Sequence, residues 1–280
     1  MSAASHLVVA SHDGTSIGYE TLGSGNGVLV LGGGWRTSRD YLSFARALAG
    51  SFSVHVIDRR GRGRSGPQGQ AYSMERELED LAAVQANTQA TIIFGHSYGG
   101  LIALEAARHS TVFTDVVVYE PGVSVAGSIP LGWMPGYREL LAAGDRRGAF
   151  AAMVRGAGGA PPALEHAPLW YVKLLLRLFI RENHWREIEP LLETALNEHA
   201  QVRALDEITA DRYRRIAARV VLLGGGKSRP QFTTSLFDHL SASIPTTTTE
   251  LIKGLDHTAP DDKAPDVVAA RVRHHLEHHD

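Results

Sequence analysis

The sequence has no cysteine, almost no net charge and no long apolar run. Without cysteine, the chain has no disulfide framework, no thiolate metal site and no cysteine nucleophile. Its 28 Lys and Arg residues against 30 Asp and Glu residues give a formal net charge of −2. No global field therefore favours nucleic acid or an anionic membrane. No stretch approaches the ~18 consecutive apolar residues of a transmembrane helix. We expect a small-molecule substrate as the partner, and a monomer or homodimer.

The N-terminal residues also lack the features of an export signal. Residues 1–14 contain only the apolar stretch 7–10, without the basic start and longer apolar core of a signal peptide. The sequence therefore predicts a cytoplasmic protein with no membrane contact. A chain of 280 residues with 44% hydrophobic content can bury a large core. This favours one α/β domain that carries an insertion.

Short β-branched runs alternate with longer amphipathic stretches in the first half of the chain. Strands are predicted at 7–10, 17–21, 28–31, 54–57, 91–94 and 116–119. Helices are predicted at 38–48, 74–88 and 101–107. Strands that alternate with helices form a parallel sheet covered on both faces. The pattern returns near the C-terminus, with strands at 220–223 and 250–253 and helices at 232–240 and 267–276.

Strand-like runs are missing between residues 126 and 218. Helices are predicted there at 137–141, 149–154, 169–181 and 188–196. An all-helical insertion between two strands of one sheet is typical of a cap over a pocket. We therefore predict a core domain of residues 1–125 and 219–280, with a helical cap at 126–218.

The segment 91–100 holds the strongest chemical signal in the sequence. It places Gly95, Ser97 and Gly99 in a G-x-S-x-G pattern that follows a predicted strand and opens a predicted helix. Two glycines permit a turn so tight that the serine hydroxyl projects from a strained backbone. The helix then aims free N–H groups beside it. The alternative is an ordinary glycine-flanked serine at a helix start, but the flanking strand and helix favour a nucleophile.

A serine nucleophile needs a base, and His257 has the most suitable position. It follows the last predicted strand and precedes the last helix. It should lie at the same sheet edge as Ser97, because both follow the C-terminal ends of parallel strands. His96 neighbours the serine but is expected to face elsewhere, and three further histidines lie in the cap. Position alone leaves a surface-loop histidine as the alternative for His257.

Four segments together resemble the α/β-hydrolase superfamily, in its small capped serine-hydrolase branch. They are residues 28–34, 58–65, 95–100 and 254–257. The resemblance covers nearly the whole chain and is weakest in the cap. It implies a mostly parallel eight-stranded sheet with helices on both faces and a helical cap inserted after the sixth strand. It also implies a catalytic serine at Ser97, a catalytic histidine at His257, and no cofactor or metal.

The family's oxyanion turn departs from its usual H-G-x pattern. This chain has Gly32, Gly33 and Gly34 at that place, so a glycine replaces the histidine. The resemblance implies that the backbone N–H groups of Gly34 and Tyr98 form the oxyanion hole. Backbone donors need no particular side chain, so the hole should survive the replacement.

The family's usual acid is missing from its common place. Residues 223–230, after the first strand beyond the cap, contain no carboxylate, and the next one is Asp238. One subset of the family places the acid after the strand that precedes the cap, where this chain has Glu120. A carboxylate after four apolar strand residues is costly without a partner, and the imidazole of His257 would supply one. We predict Glu120 as the acid, with Asp238 as the alternative.

Four arginines interleaved with glycines form a basic run at residues 59–64. The run resembles RNA-binding arginine–glycine segments. It also matches the family's D-x-R-G-x-G-x-S turn at 58–65, which makes a structural loop the favoured interpretation.

These features predict a cofactor-independent serine hydrolase that cleaves an ester, thioester or lactone of a fairly apolar small molecule. A carbon–carbon bond hydrolase, a cofactor-free perhydrolase and a ligand receptor that retains the triad share the same fold. Haloalkane dehalogenases and epoxide hydrolases of this fold use Asp at the nucleophile position, so Ser97 argues against both. The candidate substrate contacts are Trp35, Trp133, Met153, Trp170 and Tyr171.

Overall fold

The computed structural model describes residues 4–158 and 160–278, and its strands form an eight-stranded sheet. The strands are β1 (Ser5–Ala10), β2 (Ser16–Gly23), β3 (Asn26–Leu31), β4 (Phe52–Ile57), β5 (Ile92–His96), β6 (Asp115–Tyr119), β7 (Arg219–Gly225) and β8 (Thr247–Ile252). Their order in the sheet is β1-β2-β4-β3-β5-β6-β7-β8. β2 runs antiparallel to both neighbours, and the remaining pairs are parallel. The predicted mostly parallel sheet is confirmed.

Helices cover both faces of this sheet. They are α1 (Leu42–Leu48), α2 (Met74–Thr88), α3 (Tyr98–His109), α4 (Met134–Ala142), α5 (Arg146–Gly156), α6 (Pro162–Glu165), α7 (Leu169–Phe179), α8 (Glu182–Ile188), α9 (Leu192–Ala204), α10 (Thr234–Ser243) and α11 (Pro265–Glu277). One apolar core lies beneath α2, α3 and α10, and a second lies beneath α1 and α11. None of the helices in the described residues is long and apolar enough to cross a bilayer.

Alternation along β3 shows how a continuous apolar run serves both cores. Leu29 packs into the core under α2 and α3, whereas Val28 and Val30 pack into the core under α1 and α11. All three side chains are fully buried. Each such side chain contributes about 1.5–3 kcal/mol of burial free energy. A strand covered on both faces therefore needs no polar positions.

The helices α4 to α9 lie between β6 and β7 along the chain, as the predicted insertion requires. They share a small apolar core of their own around Trp133, Tyr137 and Leu192. The single helix expected at 188–196 is wrong: a 3₁₀ turn at Glu189–Leu191 separates α8 from α9. Pro190 lies in this turn and lacks the N–H that a continuous helix would need there. Residues 1–3, 279 and 280 of the predicted core domain lie outside the described residues.

The strand β8 begins earlier than the expected 250–253. Thr247, Thr248 and Thr249 pair with β7, because β-branched threonines fit an extended strand at the sheet edge. Strand register also aligns the carboxyl ends of the central strands. Leu31 pairs with Gly95, and His96 with Tyr119. The loops that follow β3, β5, β6 and β8 therefore open at one edge of the sheet.

Candidate active site

Ser97 occupies a strained turn between β5 and α3. Its backbone has φ 54° and ψ −121°, in the left-handed half of conformational space. Glycines permit the turn, since a Cβ on Gly95 would overlap Gly99 and one on Gly99 would overlap the Leu31 carbonyl. The serine remains partly exposed at the carboxyl edge of the sheet. The strain therefore holds a reachable hydroxyl in one place.

Glu120 follows β6 and contacts His257. The Glu120 Oε2 atom lies 2.8 Å from His257 Nδ1. Its Oε1 atom accepts hydrogen bonds from the Gly225 N–H at 2.8 Å and the Ser228 hydroxyl at 2.6 Å. The buried carboxylate thus has three partners. The loop after β7, where the family's common acid would lie, donates hydrogen bonds to Glu120 instead. The alternative acid, Asp238, is exposed on α10.

His257 is half exposed, with 50% of its side chain open to solvent. Because Nδ1 is bound to Glu120, Nε2 is the ring nitrogen left free to take a proton. Across the described residues, no hydrogen bond joins the Ser97 hydroxyl to His257. In ligand-free sites of this kind that bond is often long and forms only with substrate. Asp256 does not hold the His257 ring, because its carboxylate binds Thr258 and Lys263.

The glycine turn after β3 lies directly against Ser97. A Cβ on Gly33 would come within 3.2 Å of Ser97 Cβ. The Gly33 N–H donates to the Tyr41 hydroxyl at 2.9 Å. The N–H groups of Gly34 and Tyr98 have no protein acceptor within the described residues. Two unused donors beside a serine can stabilise a negatively charged oxygen.

His96 was expected to face away from the site, but the structure places its ring against His257. Its Nε2 atom lies 2.9 Å from the His257 carbonyl oxygen, and its Nδ1 atom lies 2.7 Å from the Tyr41 hydroxyl. Burial, and after it the charges of His257 and Arg36, lowers the pKa of His96 well below its usual value. In the sequence, only its position next to Ser97 could have indicated that His96 belongs to the site.

A second link between the loops of the site was also missed. Arg36, two residues after Gly34, forms an ion pair with Asp261 in the π-helical turn Ala259–Lys263 that follows His257. The Asp261 side chain is 1% exposed. Burial raises the pKa of Asp261, although the Arg36 charge opposes the rise. The ion pair ties the oxyanion turn to the loop that carries His257.

Three arginines of the arginine–glycine loop, Arg59, Arg60 and Arg62, are at most 5% exposed, whereas Arg64 lies at the surface. The buried part of the loop lies under the insertion, in keeping with its interpretation as a structural loop. Arg59 lies 2.9 Å from both Glu77 and Glu198, and Arg62 pairs with Glu198. Both arginines also donate to the Gly33 carbonyl at 3.1 Å. Burial alone would raise the pKa of Glu198, but the two arginines outweigh it and hold that pKa below its usual value. The loop therefore fixes α9 above the oxyanion turn.

Two of the predicted substrate contacts lie beside one histidine of α9, and a third packs in the same apolar cluster. Trp35 directly follows Gly34 at φ 56°, and its ring centroid is 5.5 Å from that of His199. The Trp133 ring lies 4.9 Å from the same histidine. Met153 belongs to the same apolar cluster, in which Trp133 and Met153 are each 8% exposed. Trp35 thus borders the oxyanion turn, whereas Trp133 and Met153 are mainly core residues of the insertion.

The other two predicted contacts lie on the outer side of α7. Trp170 is 68% exposed and Tyr171 is 41% exposed. The two rings pack edge-on against each other, with their centroids 5.8 Å apart.

A cavity of about 520 Å³ lies beside the site, between the loop 58–67 and α8. Its lining includes Trp35, Arg62 and Ile188, but neither Ser97 nor His257. No group of three or more His, Asp or Glu side chains in the described part of the chain could hold a metal ion.

Solved structures share this architecture. An α/β hydrolase from Sphaerobacter thermophilus superposes with a TM-score of 0.81 at 29% identity, over 96% of this chain and 100% of that one. The N-acyl homoserine lactone degrading enzyme Est816 superposes with a TM-score of 0.73 at 21% identity, over 95% of this chain and 99% of that one. The second likeness, below 25% identity, shows the fold alone.

Curated relatives match one part of the chain. A pimeloyl-[acyl-carrier protein] methyl ester esterase from Serratia marcescens is 34% identical over 33% of this chain and 35% of its own length. A non-heme haloperoxidase from Rhodococcus erythropolis is 36% identical over 36% of this chain and 38% of its own length. The matched region is little more than a third of either relative. The model of the alpha/beta hydrolase family, in contrast, matches residues 28–271, so this chain belongs to the α/β-hydrolase family.

Proposed function

We propose that the protein is a cofactor-independent serine hydrolase in which Ser97 is the nucleophile, His257 the general base and Glu120 the orienting acid. One observation carries the proposal: the Glu120 carboxylate lies 2.8 Å from His257 Nδ1 at the sheet edge that also holds the strained Ser97 turn. A base held in one tautomer beside an exposed serine is the arrangement that acyl transfer needs.

The reaction follows from the direction of each hydrogen bond. His257 Nε2 takes the proton of the Ser97 hydroxyl as the Ser97 oxygen attacks the substrate carbonyl. The N–H groups of Gly34 and Tyr98 stabilise the oxyanion, and Glu120 stabilises the protonated His257. His257 then protonates the leaving oxygen or sulfur, which departs and leaves an acyl-enzyme. Water that gives its proton to His257 attacks this ester, and the protonated His257 then returns the proton to the Ser97 oxygen as the acid leaves.

We further propose an ester, thioester or lactone of a fairly apolar small molecule as the substrate. Trp35 borders the oxyanion turn, and its ring packs edge-on against Phe150 at 6.3 Å. An apolar acyl group placed there would be shielded from water. The methyl ester esterase of Serratia marcescens supports an ester within this class.

Perhydrolysis is a second candidate, favoured by the non-heme haloperoxidase among the relatives. Hydrogen peroxide would then replace water as the group that attacks the acyl-enzyme. The product is a peracid, and Ser97 recovers its proton as in hydrolysis. Peracid formation from an ester and hydrogen peroxide, measured beside ester hydrolysis, separates the two. A ring-fission diketone in the same panel tests carbon–carbon hydrolysis.

The test of the main proposal is intact mass after incubation with a fluorophosphonate, for wild type and Ser97→Ala in parallel. We expect one adduct on wild type and none on the variant. Ester turnover should fall by about 10⁴-fold or more in Ser97→Ala. A loss below tenfold would overturn the assignment. If folded wild type binds esters but forms no adduct, the protein is a ligand receptor on this fold and the hydrolase proposal is wrong.

A further inference from the structure

Two histidines meet at the serine turn, and only His257 has a role in the proposed reaction. His96, which immediately precedes Ser97, is 3% exposed. Its ring centroid lies 4.8 Å from that of His257. A polar ring enclosed this deeply needs partners for both nitrogens. One partner lies in the 3₁₀ turn Ser38–Tyr41 and the other in the loop that carries His257.

The partners settle the direction of a hydrogen-bond chain. The His257 carbonyl can only accept, so His96 Nε2 carries the proton and donates to it at 2.9 Å. In the neutral ring Nδ1 is then an acceptor, and the Tyr41 hydroxyl donates a hydrogen bond to it at 2.7 Å. The Tyr41 oxygen in turn accepts from the Gly33 N–H at 2.9 Å. The chain therefore runs from the oxyanion turn, through two side chains, to the backbone of His257.

The surroundings of His96 keep this direction fixed. Burial lowers the pKa of His96 well below its usual value and raises the pKa of Tyr41, so both stay neutral at ordinary pH. The titratable and charged groups that face His96 are Tyr41, Tyr119, His257, Asp261 and Arg36. A neutral ring held on both sides cannot switch tautomer without breaking a buried hydrogen bond.

We propose that His96 is a positioning residue that couples the oxyanion turn to the catalytic base; this rests on the proposed function. Glu120 holds the His257 ring at one atom, and a single hydrogen bond leaves the ring free to pivot. The His96 bond to the His257 backbone adds a second anchor. Through Tyr41 the same side chain also holds Gly33, next to the oxyanion donor Gly34. His96 thereby sets the distance between base and oxyanion hole.

Two substitutions of His96 separate positioning from packing. In His96→Gln the amide nitrogen reaches the place of Nε2 and can still donate to His257. In His96→Asn the amide reaches only the place of Nδ1, so that donor is lost. We expect kcat to fall about 10–100-fold in His96→Asn with KM changed less than twofold, since a small misplacement costs about that much. His96→Gln keeps the bond to His257 but has no acceptor for Tyr41 at the place of Nδ1, so it should recover only part of the lost rate.

Tyr119→Phe is the matched control. The Tyr119 hydroxyl donates to the Asp256 carbonyl at 2.9 Å, so its loss loosens the same loop one residue away without breaking the chain. Its kcat should stay close to that of wild type. Equal rates for His96→Asn and wild type, equal losses for Asn and Gln, or an equal loss for Tyr119→Phe would overturn the inference.

The rate of fluorophosphonate labelling, measured with urea unfolding on the same samples, isolates this inference from the proposed function. If wild type does not react, the proposed function fails and the inference fails with it. If wild type reacts and His96→Asn reacts equally fast, only the inference fails. Should His96→Asn not fold, Tyr41→Phe removes the same bond to His96 as His96→Gln does, and it must show the same smaller fall in kcat at constant KM.

Discussion

Two buried clusters flank the oxyanion turn, and they differ in what their charges can do. At the sheet edge, Glu120 is buried but its partner His257 is half exposed. Under the insertion, Arg59, Arg62 and Glu198 are all buried and paired with one another. In the proposed reaction the edge cluster passes a proton to a bound molecule, whereas each charge of the arginine cluster has an oppositely charged partner and a side chain at most 2% exposed. Exposure of one partner, and not the presence of buried charge, therefore distinguishes a reactive cluster from a structural one.

Among substitutions outside the nucleophile, the largest expected effect comes from Glu120→Gln, which changes the edge cluster alone. The amide oxygen can keep the Gly225 and Ser228 hydrogen bonds, which leaves the amide N–H₂ facing His257. The histidine must then accept at Nδ1, so Nε2 carries a proton and cannot act as a base. We expect kcat for ester hydrolysis to fall about 10³–10⁴-fold while the protein stays folded. Asp238→Asn is the control, and a larger loss there would make Asp238 the acid.

In the arginine cluster, Glu198→Gln should change stability more than rate. The variant leaves two buried guanidinium groups with only Glu77 to balance them. Removing one partner of a buried pair costs about 3–5 kcal/mol, measured by urea unfolding. Glu193→Gln is a matched control on the same helix, since Glu193 is 58% exposed in its pair with Arg146. Equal stability of the two variants would show that the buried cluster does not hold α9.

Stability should also fall as pH is lowered, with one contribution from each region. Burial lowers the pKa of His96 at the edge and of His199 in the insertion. As the pH falls below ~6.5, these histidines bind protons in the unfolded chain before they do so in the folded protein. Each one then lowers the free energy of unfolding by up to about 1.4 kcal/mol per pH unit. Urea unfolding from pH 7.5 to 5.5 measures the slope. His199→Gln should flatten it, whereas His184→Gln on the exposed surface of α8 should not.

The smallest effect is expected for Trp170→Ser on α7. With 68% of its surface already exposed, the ring loses little burial. Unfolding free energy should change by less than about 0.5 kcal/mol, as at other exposed positions, and ester hydrolysis should keep its KM. A tenfold rise in KM would show that α7 contacts the substrate, as the aromatic composition of the cap suggests.

Much of the sheet edge could be predicted from local signals. Apolar runs of β-branched residues indicated the buried strands, and the glycines around Ser97 indicated the turn that the structure contains. Glu120 stood out because a carboxylate directly after an apolar strand needs a partner. The structure brings its Oε2 atom to within 2.8 Å of His257 Nδ1.

The insertion was predictable only in outline. Its helical content follows from composition, but Glu198 meets Arg62 across 136 residues of sequence. No periodicity in either segment indicates that pairing, because α9 presents several polar side chains and only docking decides which one is buried. The sequence also does not show which apolar side chains of the insertion are buried. Trp133 and Met153 were therefore predicted as substrate contacts, although they pack mainly into the core of the insertion.

By itself the sequence determined the alternation of strands and helices, the strained serine turn and the edge at which the loops meet. These features depend on apolar periodicity and on steric contacts between residues close in the chain. Both are local properties of a segment and do not depend on the rest of the fold. Tertiary structure decided which buried polar groups pair. The bond from His96 to the His257 carbonyl spans 161 residues. A histidine can satisfy its two nitrogens with many partners, so its actual partners become known only when packing brings the loops together.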